Sequence, residues 1–177
     1  MPQGNILHKK VGKIFLGLIS EYTNLKLIQD PACQEKPGVK QRIPLFCNIE
    51  KGRENEFCNV DMLVLKNNKI KIIVEIEESN VKPTQVCGKF LTSALAKYLI
   101  HRTVSKKPVE KDENVMFIQI LDTSKLKERT KKIAQWKQLE AQINGFLPLG
   151  DSRINNYKIL TSDELSELGH LIEEIAR

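Results

Sequence analysis

Two apolar runs, residues 56–66 and 69–77, meet at Asn67-Asn68. Each is interrupted by acid: Asp61 in the first, Glu75 and Glu77 in the second. Asparagine tolerates the positive φ of a tight two-residue turn, so the pair predicts an antiparallel hairpin. Side chains alternate along a strand, which puts Glu75 and Glu77 on one face. The hairpin brings Asp61 level with Val74 and Glu75, so three carboxylates are expected to converge on one part of a sheet. Leaving such like charges buried and unpaired costs on the order of several kcal/mol. A hard divalent cation removes that cost, and Mg2+ is typically held by one or two carboxylates together with waters and phosphate oxygens. The plain alternative is an exposed sheet face on which Lys69 and Lys71 pair with the acids across the hairpin. Residues 70–76 are too apolar for a solvent-facing edge strand, which weighs against it.

The order of elements follows from periodicity and breakers. Residues 5–27 place Ile6, Leu7, Ile14, Phe15, Leu18, Ile19 and Tyr22 at helical spacing. Pro31, Pro37 and Gly38 then open a loop. Residues 42–50 form a third extended run, and the three runs together read as an antiparallel meander. Pro83 suits the first turn of a helix over 82–101. A polar loop over 105–113 leads to a continuous apolar strand, 115–121, of the kind buried on both faces. Asp122 or Thr123 can cap a long helix to about Asn144, with Leu126, Ile133, Trp136, Leu139 and Ile143 as its inner stripe. Gly145 and Pro148 end it. A strand over 157–160 precedes a last helix, opened by Thr161 and Glu164 as a capping box. The order is αβββαβαβα with no internal repeat. That predicts one α/β domain over 1–177, a mixed central sheet flanked by helices.

Composition narrows the class. At 177 residues the chain can bury one core without staples. Hydrophobic residues at 41% against 28% charged exclude wholesale disorder. No apolar run approaches the ~18–20 residues of a membrane span, and residues 1–13 are too polar and basic for a secretory signal. A soluble, cytoplasmic protein is the expectation. Cys33, Cys47, Cys58 and Cys87 form no CxxC pair and have no histidine at zinc-like spacing, so they read as reduced thiols. His8, His101 and His170 are scattered, which makes Ser/His/Asp or Cys/His catalysis a poor fit. The net charge of +6 is unevenly spread: residues 82–137 hold thirteen Lys and Arg against five Asp and Glu. Clustered cations suit a phosphate-bearing partner, although a solvated helix face produces the same numbers.

The layout of Asp61, hairpin and Glu75-x-Glu77 within an αβββαβ order resembles the PD-(D/E)xK nuclease superfamily. That superfamily includes many type II restriction endonucleases, Holliday-junction resolvases and repair nucleases. The resemblance covers residues 5–121 in element order and Asp61, Glu75 and Glu77 in motif residues. It implies a restriction-endonuclease-like core and a metal-dependent endodeoxyribonuclease acting on double-stranded DNA, most like a small type II restriction endonuclease. A resolvase-like repair or recombination nuclease is the second reading. A DNA-binding or assembly subunit with the same fold and no catalysis is the third. Asp61 and Glu75 would hold Mg2+, or Mn2+ in its place, with the backbone carbonyl of Ile76. Glu77 would orient or deprotonate the attacking water.

Two positions depart from the common pattern. Val60 stands where the motif's name has proline. Glu77 stands where lysine is usual, as in a Glu-x-Glu subgroup of restriction enzymes, and Lys82 or Lys89 on the following helix could supply a displaced lysine. A fourth carboxylate, often drawn from the first helix or strand in such enzymes, would be Glu21 or Glu50. Glu78 points to the opposite face from Glu77 and is left out. Lys82, Lys89, Lys125, Arg129 and Lys132 are the expected DNA-backbone contacts, while Trp136 reads as core. Cutting both strands at one place implies a homodimer, with the first helix or the last (Leu165, Leu168, Ile172, Ile175) as possible contacts.

Overall fold

The computed structural model describes the chain except residues 1–5, 36–41, 80, 125, 127 and 128 and the side chain of Arg129. Its first helix, α1 (Ile6–Ile19), stops well before residue 27, and the last part of that apolar pattern is a short strand, β1 (Leu25–Gln29). Gly12 lets α1 pack on the 3-10 turn Pro31–Cys33, since a Cβ there would lie 2.0 Å from the Cys33 carbonyl oxygen. Two hairpins follow: β2 (Ile43–Phe46) with β3 (Glu56–Val60), and β4 (Met62–Lys66) with β5 (Lys69–Glu77). The turn of the second has Asn67 and Asn68 at φ 52° and 62°, the conformation the asparagine pair calls for. The single meander is not formed. β3 and β4 run on from one another with only Asp61 between them, and at that residue the chain passes from β2 as its neighbour to β1 and β5 in another part of the same sheet.

The second half is closer to expectation. α2 (Pro83–Leu95) ends early, and its tail forms the two-residue strand β6 (Tyr98–Leu99). β7 (Val109–Leu121) is longer than the apolar run alone, because its polar first half pairs with β6. α3 (Arg129–Asn144), β8 (Ile154–Thr161) and α4 (Glu167–Ala176) complete the chain. Glu164 does accept from the Thr161 backbone N–H at 2.8 Å. Thr161 still belongs to β8, however, so this contact closes a turn and α4 begins later.

The result is a mixed α/β fold. One sheet runs β1-β4-β5-β7-β8, with β5, β7 and β8 parallel and β1, β4 and β5 successively antiparallel. A smaller antiparallel flank, β3-β2-β6, joins it along the first part of β7. Ile72, Val74 and Ile76 of β5 pack with α1 and α4. On the other face Ile73 lies in a cluster with Val86 and Phe90 of α2 and Trp136 of α3. Phe90, Phe117 and Tyr157 meet there with ring centroids 5.1–5.7 Å apart. Leu165, Leu168, Ile172 and Ile175 are all buried in this chain's own core, so the expected α4 contact between copies is not a free surface. Among the described residues no helix is long and apolar enough to cross a membrane.

An unpaired sheet edge is a template for unwanted pairing, and α3 covers the edge of β8 with its side chains. Asn144 donates to the Tyr157 carbonyl at 2.8 Å and accepts from the Tyr157 N–H at 3.0 Å. Glu140 accepts from the Ile159 N–H, and Lys137 donates to the Ile159 carbonyl. Asn144→Ala frees two partly buried backbone groups and should cost about 2 kcal/mol, or roughly 5 °C in Tm for a chain of this size. A thermal melt checks this. An unchanged Tm would show that the edge is held by other contacts.

Candidate active site

Asp61 lies at the joint between β3 and β4, and its Oδ2 accepts from the Ile76 N–H of β5 at 2.7 Å. This bond uses the Ile76 N–H and is separate from the Ile76 carbonyl expected to serve a metal. Glu75 and Glu77 share the β5 face turned toward α2 and are 1% and 7% exposed. The reading of these acids as a solvated sheet face therefore fails. Lys71 pairs instead with Asp112, at 3.6 Å.

Lys89 of α2 bridges the two glutamates, with Nζ 2.9 Å from Glu75 Oε2 and 2.7 Å from Glu77 Oε1. Gln85, one turn earlier on the same helix face, donates to Glu77 Oε2 at 3.4 Å. Of the two lysines considered as replacements for the motif lysine, Lys89 reaches the site. Lys82 is exposed at the start of α2.

On the other side of the sheet, His8 comes in from the first turn of α1. Its backbone N–H and Nδ1 both meet Glu78 Oε1, at 3.0 and 2.9 Å, and its Nε2 lies 3.7 Å from Asp61 Oδ1. Glu78 faces away from Glu77, as strand alternation requires, and serves as the anion at the α1 N-terminus. His8 was missed at the sequence level. Its partners lie 53 and 70 residues away, and a lone histidine on an amphipathic helix carries no local signal.

The electrostatics separate the two metal-ligand candidates. Burial pushes the Glu75 carboxyl up to about 8, Lys89 pulls it back, and the nearby Asp61 raises it further. Burial also acts to raise Asp61, but His8 and the Ile76 N–H together hold it below the usual carboxylate range. Burial disfavours the charged form of Lys89, yet Glu75 and Glu77 outweigh it and lift its pKa. Lys89 is therefore a firmly held ammonium.

Among the described residues no group of three or more His, Cys, Asp and Glu side chains converges as a metal cluster. The acids resolve instead into Glu75 and Glu77, bridged by Lys89, with Asp61 close enough to Glu75 to raise it. Asp61 and Glu75 still suit a hard cation: Mg2+ needs only one or two carboxylates, and the charge of Asp61 that raises Glu75 is what a cation would offset.

Other expected site residues lie elsewhere. Glu21 follows the far end of α1, roughly 20 Å along the helix from His8. Glu50 sits in the β2–β3 turn, about 17 Å of strand away from Asp61. Neither belongs to the site. Lys125 lies outside the described residues, and Arg129 begins α3 with its side chain outside them. Lys132 bonds Gln135 on its own helix. Part of the basic stretch is structural: buried Lys111 donates to the carbonyls of Ser93, Ala94 and Ser152 at 2.9–3.1 Å, and Lys97 pairs with Asp151.

A cleft of about 370 Å3, lined by Ile6, Lys10, Glu78, Asp122, Ser124 and Asp163 among others, opens beside Glu78. It lies where the parallel strands end, a place where open α/β sheets commonly bind ligands. The Asp122 N–H bonds the Glu77 carbonyl at 2.8 Å, which brings the segment leading into α3 to the same rim. Comparison of the chain with protein-family models, curated proteins and solved structures finds no match.

Proposed function

We propose that this chain is a metal-dependent endodeoxyribonuclease that hydrolyses phosphodiester bonds of double-stranded DNA, with a PD-(D/E)xK-like core. The reading rests on one observation above all: Lys89 reaches from α2 to both glutamates of the Glu-x-Glu strand, beside Asp61. A cation of that kind, next to an acidic pair, is the equipment phosphodiester hydrolysis calls for. It comes from the helix rather than from position 77.

Asp61 and Glu75 are the residues that would hold Mg2+ or Mn2+. Such an ion lowers the pKa of a bound water and offsets charge developing on the phosphate. Lys89, holding its proton, is a donor and counter-charge for the phosphate and not a base. Taking the proton from the attacking water falls to Glu77. α1 and α2 both begin at this rim, and their N-termini favour anions there. Restriction-type cutting of both strands would set two copies of the chain on one duplex.

The rival is a DNA-binding or assembly subunit that does not cut, and it draws on the same bridge, because Lys89 already neutralises the acids without a metal. Incubation of supercoiled plasmid with Mg2+, Mn2+ or EDTA decides between them. Cleavage with metal and none with EDTA is the expected result. Discrete fragments indicate a restriction-type enzyme, and cleavage confined to branched junctions indicates a resolvase. DNA retained in a gel shift but never cut would overturn the enzymatic reading.

A further inference from the structure

β7 carries a polar side chain in its buried half, Gln119, which is wholly excluded from solvent. It stands in register with Glu75 of β5 on one side and Ile159 of β8 on the other. Strand alternation places it on the face that carries Phe117 and Leu121, under α2 and α3. Its two amide ends have different fates. The Tyr157 hydroxyl donates to Gln119 Oε1 at 2.7 Å. Nε2 is buried and has no partner among the described residues.

A buried donor without an acceptor is costly, and glutamine is seldom fully buried for that reason. Methionine or leucine would fill position 119 without that cost. With the Tyr157 hydroxyl donating to Oε1, Nε2 is turned toward another neighbour. Adjacent positions on paired strands lie about 4.8 Å apart, a span that one bridging water can close. On the β8 side the neighbour is an isoleucine side chain, which accepts nothing. On the β5 side it is the Glu75 carboxylate, whose Oε2 takes Lys89.

We propose that Gln119 is a positioning residue for Glu75. Held by Tyr157, its amide N–H steadies the Glu75 carboxylate through one bridging water, in the orientation that faces Asp61. This rests on the reading of Asp61 and Glu75 as the cation-holding pair. Hydrogen-bond partners behind a metal ligand orient it, and their loss typically lowers metal affinity by about 10–100-fold. The competing role is purely structural: Gln119 would only anchor the Tyr157 hydroxyl.

Two variants separate these roles. Gln119→Met removes the amide at similar volume. Tyr157→Phe keeps the ring between Phe90 and Phe117 and removes only the clamp. Mn2+ binding to the metal-free protein is measured by titration calorimetry, with thermal melts as a check on folding. Each variant should bind Mn2+ on the order of tenfold more weakly. The double variant should be no weaker than Gln119→Met alone, because Tyr157 acts through Gln119. Where Gln119→Met fails to fold, Tyr157→Phe decides the point. Wild-type Mn2+ affinity in Tyr157→Phe or in folded Gln119→Met overturns the inference and leaves the cation-binding pair standing. Failure of the unaltered protein to bind Mn2+ overturns the pair itself, and this inference with it.

Discussion

Asp61→Asn should lower Mg2+-dependent cleavage by about three orders of magnitude or more while leaving the fold intact. The asparagine carbonyl still accepts from the Ile76 N–H, so the 2.7 Å contact that pins the β3–β4 joint to β5 survives. The negative charge does not. A ligand for the cation is lost, and so is a charge that raises Glu75. Relief of Glu75 and the weaker pairing with His8 oppose one another in stability, and the melt should stay within ~1 kcal/mol of the unaltered protein. Asp61→Ala is the less clean variant, because it also strips the acceptor from Ile76 and a partner from His8. DNA affinity, followed by gel shift without metal, should hold or rise as one charge near the phosphates disappears. Cleavage by Asp61→Asn at the unaltered rate would remove Asp61 from the site.

What could be read from sequence was what local chemistry decides. The Asn67-Asn68 turn, the β5 alternation and the Glu75/Glu77 face each depend on neighbours within a few residues, and each is as expected. Trp136 as core follows from helical spacing in the same way. The misplacements came where a partner far along the chain decides. Residues 25–27 are read as the end of the helical pattern of α1, yet pairing with β4 makes 25–29 a strand. Tyr98 and Leu99 leave the α2 pattern for β2 and β7. The polar first half of β7 reads as a loop until β6 lies beside it.

The site divides along the same line. Its acids were visible because they interrupt apolar strands. His8 was not: it is an ordinary residue in its own helix, and its meaning comes from strands that meet it only in the fold. The lysines of α3 show the converse, since Lys137 reads as a solvated cation until the open edge of β8 is in view.

Lys89→Met tests the bridge from the other direction. Glu75 and Glu77 are almost wholly buried, and breaking a buried ion pair by removing one partner costs about 3–5 kcal/mol. The Lys89 side chain is 35% exposed, so water screens part of that loss, and about 2–3 kcal/mol is the expected cost. In the metal-free protein this is a fall in Tm of roughly 5–10 °C. Mn2+ should recover more of the melt in the variant than in the unaltered protein, because the ion then meets two acids that have lost their cation. Cleavage should fall by about 10²–10³-fold, the usual cost of losing a pre-placed group that stabilises developing charge. Restoring lysine at the usual motif position does not substitute for this. Glu77→Lys would set a second ammonium against Lys89 and remove the acid proposed to take the water's proton, so little or no activity is expected from it. Combining Glu77→Lys with Lys89→Met leaves one cation beside Glu75 and should melt above Lys89→Met alone. A Lys89→Met protein that melts and cuts as before would show that the bridge contributes to neither fold nor chemistry, and the cation for the phosphate would then have to come from elsewhere on the rim.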